Sequence, residues 1–436
     1  PDTLIEGVQL LPAGHWLRLQ DAEVEVNRWW SAAESIAEVE PWGHREEAVG
    51  RLRDVLRDAV RLRMRSDVPL GAFLSGGVDS SAIVGLMQEV SERPVSTFSV
   101  VFNEGKFDES PWSRLVAERF GTDHHEIRLT ADHFLGQVPS ALAAMDHPSG
   151  DGPNTYVVSE ATKAAGITVA LSGLGGDELF AGYPVFQRSR QLLEWRWLGS
   201  WPVGLRRVAG KLLVASKGTV TARKQAAILA GDYFDLEHTY PLSRQLFLEE
   251  DIRRIWRGGR VPGNRVFAWL SAEIEPGSAG FNLPFFSKVS VAELGTYLGH
   301  TLLRDTDQMS MAHALEVRVP FLDHRLVSAA LAVPDAWKVP TTPKKLLTDA
   351  LGDLLPPEVT QRPKMGFVLP WAEWMRGPLK PLCERGLLAL SRLEVLDGGE
   401  LERLWQAFLA GDDRVNFTRI WMLVTLGDWM DRHEIG

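Results

Sequence analysis

Two glycine-rich segments, each followed by an aspartate, carry residue types that could bind a phosphorylated ligand. The first is LSGGVDSS at 74–81, which stands between an apolar run and a helical pattern. Its glycine N–H groups and the N-terminus of the following helix can cradle a pyrophosphate, with Ser75 and Ser80 donating to phosphate oxygens. Asp79 would repel phosphate unless a cation lies between them, which predicts a magnesium ligand. For a bare Gly–Gly pair a serine-capped turn is the simpler interpretation, but the order strand, loop and helix favours phosphate binding.

The second segment is LSGLGGDELFAGY at 171–183, which also follows an apolar run directly. Small residues let the backbone approach a ligand there, and the acidic pair Asp177–Glu178 comes next. If both segments leave one parallel sheet, they open at the same edge, where Asp79 and Asp177 can share a magnesium ion. A glycine turn with a solvated acidic pair is the alternative interpretation, and the presence of the first segment weakens it.

The sheet that must position these two segments is indicated by the pattern from residue 67 to about 183. The alternating pattern predicts short strands at 71–75, 96–102, 124–129 and 167–173. Helical patterns predict helices at 80–90, 109–121 and 159–166. Strands that alternate with helices of this length predict an α/β fold, a doubly wound parallel sheet that binds ligands beyond the carboxyl ends of its strands.

The other segments are predicted to be mostly helical. Residues 43–66 form an amphipathic helix, 190–285 a helical insertion and 286–436 a series of helices broken by prolines, which leaves 67–189 as the nucleotide-binding core. Residues 1–30 differ, because loosely alternating apolar residues around a Pro-Ala-Gly turn predict short strands. The 16 tryptophans stand mostly at helical spacing with leucines, which favours core packing over a binding surface.

Composition narrows the classes of partner. Lysine plus arginine total 47 against 57 aspartate plus glutamate, and the net charge of -10 argues against nucleic acid. No apolar run approaches the roughly 20 residues of a membrane helix, and the first residues lack a signal-peptide pattern, so no membrane partner and a cytoplasmic location are expected. The single cysteine, Cys383, stands in an apolar helical pattern, which predicts a buried thiol and not a nucleophile.

Both glycine segments resemble known signatures. SGGVDSS resembles the PP-loop of ATP pyrophosphatases, which cleave ATP to AMP and pyrophosphate, and 171–183 resembles the SGxGxDExxxGY stretch of asparagine synthetases. The resemblance implies a sheet of the PP-loop (adenine nucleotide alpha hydrolase-like) type with large helical additions. It also implies ATP and Mg²⁺ as cofactors, with Asp79 and Asp177 as magnesium ligands and a catalytic role for Asp177. The ATP-binding residues implied are Phe73, Leu74, Ser75, Gly76, Gly77, Asp79, Ser80, Val100, Ser172 and Gly173.

A third segment, at 305–323, resembles the D-x-x-S-M-A and E-x-R-x-P-F-L-D elements of the same family. Helical spacing would place Ala312 and Glu316 on one face. Glu316 and Arg318 stand among apolar neighbours and are expected to pair, since a lone buried charge is costly. A structural ion pair and a direct substrate contact are equally favoured for these two; we assign a catalytic role to Glu316 and substrate binding to Asp305.

A fourth segment, RPKMGF at 362–367, lies in a loop between proline breaks. Basic residues followed by glycine suit a loop that closes over phosphates and neutralises the departing pyrophosphate. For any single Lys–Gly pair, a solvated basic loop is the simpler interpretation. The segment resembles the R-x-K-x-G-F element of the family, which implies that Lys364 is the cation that stabilises the transition state.

The acceptor pocket is indicated less sharply. A polar loop at 146–156 precedes a helix, and similar loops of the family lie near the acceptor, which assigns Asn154 and Thr155 to substrate binding together with Glu178. This chain has Leu174 where many family members carry an acidic residue. A catalytic carboxylate therefore cannot be assigned at that position.

The first residues, TLIEGVQLLPAGHWLRL, resemble the closing segment of the glutaminase domain of asparagine synthetases. Residues 1–30 are accordingly interpreted as a remnant of that domain, and 43–436 as the synthetase domain. The sequence does not contain the N-terminal cysteine nucleophile of that domain, so truncation is expected, and glutamine hydrolysis by that route is not expected of this chain.

The resemblance implies an ATP-dependent ligase that adenylates the β-carboxylate of aspartate and transfers it to ammonia, giving asparagine. The ammonia would come from solution, or from glutamine through a glutaminase domain, and a homodimer is left open. One alternative keeps the adenylation and changes the acceptor, as in relatives that close β-lactam rings or lasso-peptide amides, and Leu174 motivates it. The other is a non-catalytic binding relative, which the presence of Asp79, Asp177 and Lys364 argues against.

Overall fold

The chain forms two compact units, each assembled from segments that are separate in sequence. The computed structural model describes residues 3–102, 110–261, 263–274, 283–338, 342–362 and 369–435. The first unit comprises Pro1–Arg128, Val158–Tyr183 and Ala272–Met365. The second unit comprises Leu129–Val157, Pro184–Ser271 and Gly366–Gly436. The domain boundaries expected from the sequence stay predictions.

The named strands of the described residues lie in the first unit, except that Leu129, the last residue of β5, falls in the second. They are β1 (His15–Gln20), β2 (Glu23–Arg28), β3 (Leu70–Phe73), β4 (Ser96–Phe102), β5 (Asp123–Leu129), β6 (Val169–Leu171) and β7 (Glu316–Arg318). Strands β1 and β2 form an antiparallel hairpin. The other five strands form one sheet in the order β5-β4-β3-β6-β7, in which β3 pairs in parallel with β4 and β6, and β6 pairs in parallel with β7.

Helices account for most of the remaining chain. Through residue 230 they are α1 (Arg45–Arg63), α2 (Val78–Val90), α3 (Ser110–Phe120), α4 (Ala131–Ala143), α5 (Gly152–Ala164), α6 (Gly176–Leu179), α7 (Pro184–Glu194), α8 (Val203–Lys217) and α9 (Val220–Ala230). Up to residue 338 they are α10 (Leu236–Arg244), α11 (Glu249–Ile255), α12 (Arg265–Ile274), α13 (Phe285–Glu293), α14 (Leu303–Met311), α15 (His324–Ala332) and α16 (Asp335–Lys338). The last six are α17 (Lys345–Leu351), α18 (Pro357–Thr360), α19 (Trp371–Arg376), α20 (Lys380–Ser391), α21 (Gly398–Leu409) and α22 (Phe417–Arg432).

The predicted α/β fold is confirmed. The four strands expected between 67 and 183 are β3 to β6, and the strand–helix alternation between them is present. The amphipathic helix expected at 43–66 is α1, which begins after His44, whose side chain accepts from the Glu47 N–H, and buries Leu52 and Leu56. The end of α7 and all of α8 to α12 lie in the described part of the stretch that was predicted to be a helical insertion, of which residues 262 and 275–282 are outside the described residues.

The third sequence segment differs from its prediction. Helix α14 ends at Met311, Ala314 adopts a left-handed φ of 52°, and Glu316 begins β7. A left-handed residue cannot continue a right-handed helix, so Ala312 and Glu316 do not share a helical face. The three residues of β7 form a strand because they pair with β6. This pairing is a tertiary effect, and the local sequence does not predict it.

The named elements of the second unit's described residues are helices, apart from Leu129 at the end of β5, and Trp256 and Leu396 form an isolated antiparallel bridge. The core of this unit contains an aromatic cluster of Phe134, Trp371, Trp374 and Trp421, with ring centroids 4.7 to 5.8 Å apart. These three tryptophans pack in the core as predicted, whereas five others are exposed: Trp16, Trp29, Trp195, Trp197 and Trp201. Cys383 of α20 is buried as expected, and burial raises the pKa of its thiol to about 12. In the part of the chain that the structure describes, no helix is long and apolar enough to cross a membrane.

Candidate active site

The first glycine segment forms the loop between β3 and α2. The Leu74 N–H donates to the Phe98 carbonyl on the adjacent strand at 2.8 Å, which holds the start of the loop on the sheet. The Ser75 N–H donates to Ser80 Oγ at 3.2 Å, and the two serine hydroxyls lie 3.0 Å apart. Gly77 is the N-cap of α2. The loop therefore turns back on the helix start, as a phosphate cradle requires, and its backbone is already ordered by the serines.

The second glycine segment follows β6 and packs directly on the start of α2. A Cβ built at Gly173 would lie 2.9 Å from both Asp79 Cβ and the Ser80 nitrogen. A Cβ at Gly176 would lie 2.5 Å from Asp79 Cγ. Contacts this short leave no room for a side chain, so glycine is needed for the two loops to meet. The structure confirms that both segments open at one edge of the sheet.

Asp79 and Asp177 converge on one ammonium group. Lys344 Nζ lies 2.5 Å from Asp79 Oδ2 and 2.7 Å from Asp177 Oδ1. Asp79 is in the first turn of α2 and Asp177 in α6, so each carboxylate is brought in by one of the two glycine loops. A Cβ at Gly182 would lie 2.5 Å from Lys344 Cε and 1.9 Å from Asp177 Oδ1, so the return of this loop also requires glycine.

Two energetic costs oppose the placement of the Lys344 side chain between the two aspartates. Its backbone is left-handed, with φ 61°, which non-glycine residues adopt at a cost of about 1 kcal/mol. Burial by itself lowers the pKa of its amine, but the two aspartates outweigh this and hold the pKa above its ordinary value. The side chain is therefore a charged ammonium between two carboxylates, and the cluster carries one net negative charge.

The donor set of this cluster fits magnesium. Lys344 Nζ stands for a cation placed between Asp79 and Asp177, and both carboxylates already face that position. Mg²⁺ in phosphate-handling sites takes one or two protein carboxylates and completes its shell with water and phosphate oxygens. Among the described residues, no group of three or more His, Cys, Asp and Glu side chains could hold a metal by itself.

A second cation reaches the first glycine loop. Arg362 Nη1 donates to the Gly76 carbonyl at 3.3 Å, and its guanidinium lies 4.9 Å from the Trp112 ring centroid, a cation–π distance. Trp112 also packs against Gly76, where a Cβ would lie 2.5 Å from Trp112 Cβ. Arg362 therefore brings a positive charge to the loop. Lys364, predicted to stabilise the transition state, lies outside the described residues.

Glu178 is buried next to Asp177, with 1% of its surface exposed. Burial, assisted by the Asp177 carboxylate, raises the pKa of Glu178 to about 7, and Tyr183 is its hydrogen-bond partner. Burial and the Glu178 carboxylate likewise raise the pKa of Tyr183 above its ordinary value. Tyr183 packs edge-on against Tyr297 at 6.1 Å. The buried carboxyl group of Glu178 lies beside Asp177 of the site. Its contact with substrate stays a prediction.

Glu316 lies at the other end of the sheet from the glycine loops. It is opposite Val169 at the amino end of the parallel β6–β7 pair, whereas the loops follow the carboxyl ends. Its carboxylate is exposed and pairs with Arg318 at 2.6 Å, and Arg318 donates to the carbonyls of Arg63 and Arg65. The expected ion pair between Glu316 and Arg318 is present. The catalytic role assigned to Glu316 stays a prediction.

Three further residues of the predicted ATP site lie at or near the carboxyl ends of strands. Phe73 ends β3, and Val100 lies near the carboxyl end of β4, where Ser99 donates to the Leu74 carbonyl. The Ser172 N–H donates to the Arg318 carbonyl at 2.8 Å, which joins the second loop to β7.

The residues assigned to the substrate lie on helices. Asp305 is buried in α14 and accepts from Gln308 at 3.0 Å. Asn154 and Thr155 are in the first turn of α5, in a segment of the second unit. Their roles in substrate binding stay predictions.

Lys344 is the site residue that sequence reasoning missed. It stands in VPTTPKKLLTDAL, where a lysine pair before an apolar helical pattern is typical of a solvated helix start. Its neighbour Lys345 does behave in this way, pairing with Asp349 on α17. A physical argument could have indicated such a residue. Two aspartates that are expected to share a site require a nearby cation when no metal is bound, because unpaired buried charges are costly.

Sequence comparisons with known proteins show which family the chain belongs to. The family model described as asparagine synthase matches residues 51–431. A Mycobacterium tuberculosis protein named "Putative asparagine synthetase (glutamine-hydrolyzing)" is 32% identical over 385 residues, which are 86% of this chain and 56% of that protein. "Asparagine synthetase (glutamine-hydrolyzing) 1" of Bacillus subtilis is 30% identical over 77% of this chain and 51% of its own.

A relative with a different name also matches. "Amidase chry2" of Gibberella zeae is 28% identical over 422 residues, which are 86% of this chain and 60% of that protein. The chain thus spans about half the length of the curated relatives it matches.

Proposed function

Because the chain belongs to the asparagine synthase family, we propose that it is an ATP-dependent ligase that forms an amide through an acyl adenylate. One observation carries the proposal: Asp79 and Asp177, each delivered by its own glycine loop, face the same cation position at one sheet edge. In a parallel α/β sheet this edge is where nucleotides bind. Chemistry at the α-phosphorus of ATP needs a phosphate cradle, magnesium and positioning more than a protein nucleophile, and the cluster has this composition.

The proposed substrate is aspartate, as the names of the relatives suggest. Its β-carboxylate oxygen attacks the α-phosphorus of ATP, the bond to the β-phosphate oxygen breaks, and pyrophosphate leaves. Ammonia then attacks the acyl carbon, AMP leaves with the bonding electrons, and the nitrogen loses one proton, which gives asparagine. The ammonia is supplied from solution, or from glutamine through a glutaminase activity, as the names of two relatives indicate for those proteins.

The proposed role of each residue follows from the groups that it presents to the nucleotide. The loop of Ser75, Gly76 and Gly77 directs backbone N–H groups at the start of α2 to the pyrophosphate. Magnesium, when bound, neutralises phosphate charge and orients the leaving group. Asp79 and Asp177 would hold that ion, and in its absence the Lys344 ammonium occupies the position between their carboxylates.

The proposal is tested by incubating the chain with Mg-ATP, aspartate and ammonium and measuring AMP, pyrophosphate and asparagine. We expect all three products in equal amounts, and a loss of about 100-fold or more in Asp79→Asn or Asp177→Asn, since a magnesium ligand contributes several kcal/mol to the transition state. Asp54→Asn is the matched control, because Asp54 is an exposed aspartate on α1 that pairs with Arg57. A folded chain that releases no pyrophosphate with any carboxylate would refute the adenylation.

A second candidate keeps the adenylation and changes the amine or the carboxylate. Two observations favour it: Leu174 stands in the second glycine loop where the family often has a carboxylate, and one matching relative is named an amidase. Pyrophosphate release is therefore measured across a panel of amino acids and peptides with free carboxylates. Release with aspartate alone supports asparagine formation, whereas release with another carboxylate and none with aspartate supports the second candidate.

A further inference from the structure

A large cavity lies within the second unit. Its volume is about 1410 Å³, whereas common small-molecule sites occupy roughly 300–1,000 Å³. It is lined by residues of the helix pair α8 and α9, of the stretch from α10 to α11, and of the segment from Gly259 to Phe267 in α12. The cluster of Asp79, Asp177 and Lys344 belongs to the first unit, so this cavity, called the α8–α9 cavity, is a separate site.

Small side chains on α8 and α9 leave room for the α8–α9 cavity. The two helices approach closely at Gly210, where a Cβ would lie 3.1 Å from Ala226 Cβ. Ala227 and Ala230 of α9 also line the cavity. The other elements contribute larger apolar residues, of which four are only half-buried: Leu242, Phe247, Ile252 and Phe267. A concave apolar surface that is partly exposed to water is stabilised when the apolar part of a ligand covers it.

Positive charge accompanies this apolar lining. Five cations and two carboxylates, Glu249 and Glu250, line the α8–α9 cavity. Glu249 pairs with Arg253 at 2.5 Å, and Arg223 pairs with Asp251 at 2.6 Å. In the described part of the chain no carboxylate pairs with the three remaining cations, which are all exposed: Arg207, Lys211 and Arg260. A bound anion would give these three side chains a partner.

One side of α8 presents both the charge and the apolar surface. Arg207, Lys211 and Val214 are spaced four and three residues apart, so they follow one side of the helix. All three line the α8–α9 cavity. A ligand in this cavity therefore meets cations and apolar side chains together.

We propose that the α8–α9 cavity binds an amphipathic anion, a small molecule with an apolar chain and a carboxylate or phosphate head group. The chain lies against the half-buried apolar residues, and the head group contacts Arg207, Lys211 and Arg260. A guanidinium group can bind a carboxylate or a phosphate through two parallel hydrogen bonds, which suits arginine to such a head group. The proposal concerns a binding site of the second unit and does not rest on the proposed catalytic function.

Two other classes of ligand fit the α8–α9 cavity less well. A neutral apolar molecule would cover the lining but leave Arg207, Lys211 and Arg260 without a partner. A polyanion such as a nucleic acid would meet Glu249 and Glu250, whose side chains are 65% and 79% exposed, and would leave the apolar lining uncovered. An amphipathic anion matches both the charge and the apolar surface.

The test is isothermal titration calorimetry of the full chain with octanoate and with octyl phosphate. Octanol, which lacks the charge, and acetate, which lacks the chain, are the comparison ligands. We expect one anionic probe to bind per chain, and octanol and acetate to bind at least about tenfold more weakly. The anionic probe that binds more tightly identifies the head group, and a preference for either one supports the proposal.

The head-group contacts are tested by the double variant Arg207→Gln with Lys211→Gln. It should weaken octanoate binding by about tenfold or more and leave octanol binding unchanged, because only the anion interacts with the two charges. Arg196→Gln with Lys217→Gln is the matched control. Both of its residues are exposed cations of the same unit that do not line the cavity, so it should bind octanoate normally.

The apolar lining is tested by Ala227→Phe, which places a ring in the cavity. It should weaken octanoate and octanol by about tenfold or more, because the ring occupies the space of the chain. Ala209→Phe is the matched control, since Ala209 is an exposed residue of α8 that does not line the cavity. Thermal denaturation of each variant shows that it is folded.

Three results would overturn the proposal. The first is a folded chain that binds neither octanoate nor octyl phosphate, and the second is octanol binding as tight as octanoate binding. The third is a loss of affinity that is the same in the cavity variants and in their controls. Pyrophosphate release is measured on every variant and should be unchanged, so a failure of this proposal is distinguishable from a failure of the proposed catalytic function.

Discussion

Gly176 lies against the Asp79 carboxylate so closely that a Cβ built on it would stand 2.5 Å from Asp79 Cγ. The second glycine loop thus uses the first acidic residue as its packing surface, and the two are fixed relative to each other by contact. Any side chain at 176 would have to push Asp79 away from the cation position.

We therefore expect Gly176→Ala to lower pyrophosphate release by about 100-fold, the cost of displacing a catalytic group by roughly an ångström. Gly50→Ala is the matched control, because Gly50 is on α1, where a Cβ would have no other atom within 4 Å, and it should stabilise the helix by about 0.5–1 kcal/mol. The measurement is steady-state kinetics with thermal denaturation of each variant. Full activity in a folded Gly176→Ala variant would contradict this account of the glycine.

The sequence predicts the sheet and the two loops because their signals are local. Strands β3, β4 and β6 are short, largely apolar runs, β5 is recognised by its place between two helices, and in both loops a glycine stands within two residues of the aspartate in the chain. β7 and Lys344 were not predicted, because each acquires its role from a distant partner: β7 from β6, and Lys344 from Asp79 and Asp177. Glu316 was assigned a role from its resemblance to a family segment, and only the register of β7 shows that it lies at the amino end of the sheet.

Lys338 should make stability depend on pH in the alkaline range. Its ammonium is buried and donates to Ser287 Oγ and the Leu331 carbonyl, and burial lowers its pKa from 10.5 to about 7. Between those values the unfolded chain binds one proton more than the folded chain, so stability rises with pH, by roughly 1.4 kcal/mol per pH unit for this group. Lys338→Met should flatten the curve of unfolding free energy from pH 7 to pH 10, whereas Lys380→Met, at an exposed lysine on α20, should leave its slope unchanged.

Glu178 should make stability fall as the pH rises from the acid range towards neutrality, which is opposite to the effect of Lys338. Burial raises its pKa from 4.5 to about 7, so between these values the folded chain binds one proton more than the unfolded chain. Stability for this group therefore falls as pH rises through that range, by roughly 1.4 kcal/mol per pH unit. Glu178→Gln keeps the shape of the side chain and removes its ionisable carboxyl group. The free energy of unfolding, measured by chemical denaturation, should therefore decline less from pH 5 to pH 7 in this variant. The isosteric change at exposed Glu402 is the control, and an unchanged slope in Glu178→Gln would mean that the carboxyl is ionised in the folded chain.

Lys344 gives the sharpest test of the cation position, because removing its charge leaves Asp79 and Asp177 facing each other. Loss of one partner from a buried ion pair costs about 3–5 kcal/mol, so Lys344→Met should be markedly less stable than the parent chain without metal. Mg²⁺ should then restore part of that stability, since it binds where the ammonium was, and should raise the melting temperature of Lys344→Met more than that of the parent. Lys345→Met removes the neighbouring charge, which pairs with Asp349 on the helix surface, and should show neither effect. Calorimetry of the three proteins with and without Mg²⁺ measures this difference. If Mg²⁺ shifts all three melting temperatures equally, the two aspartates do not form a shared metal site.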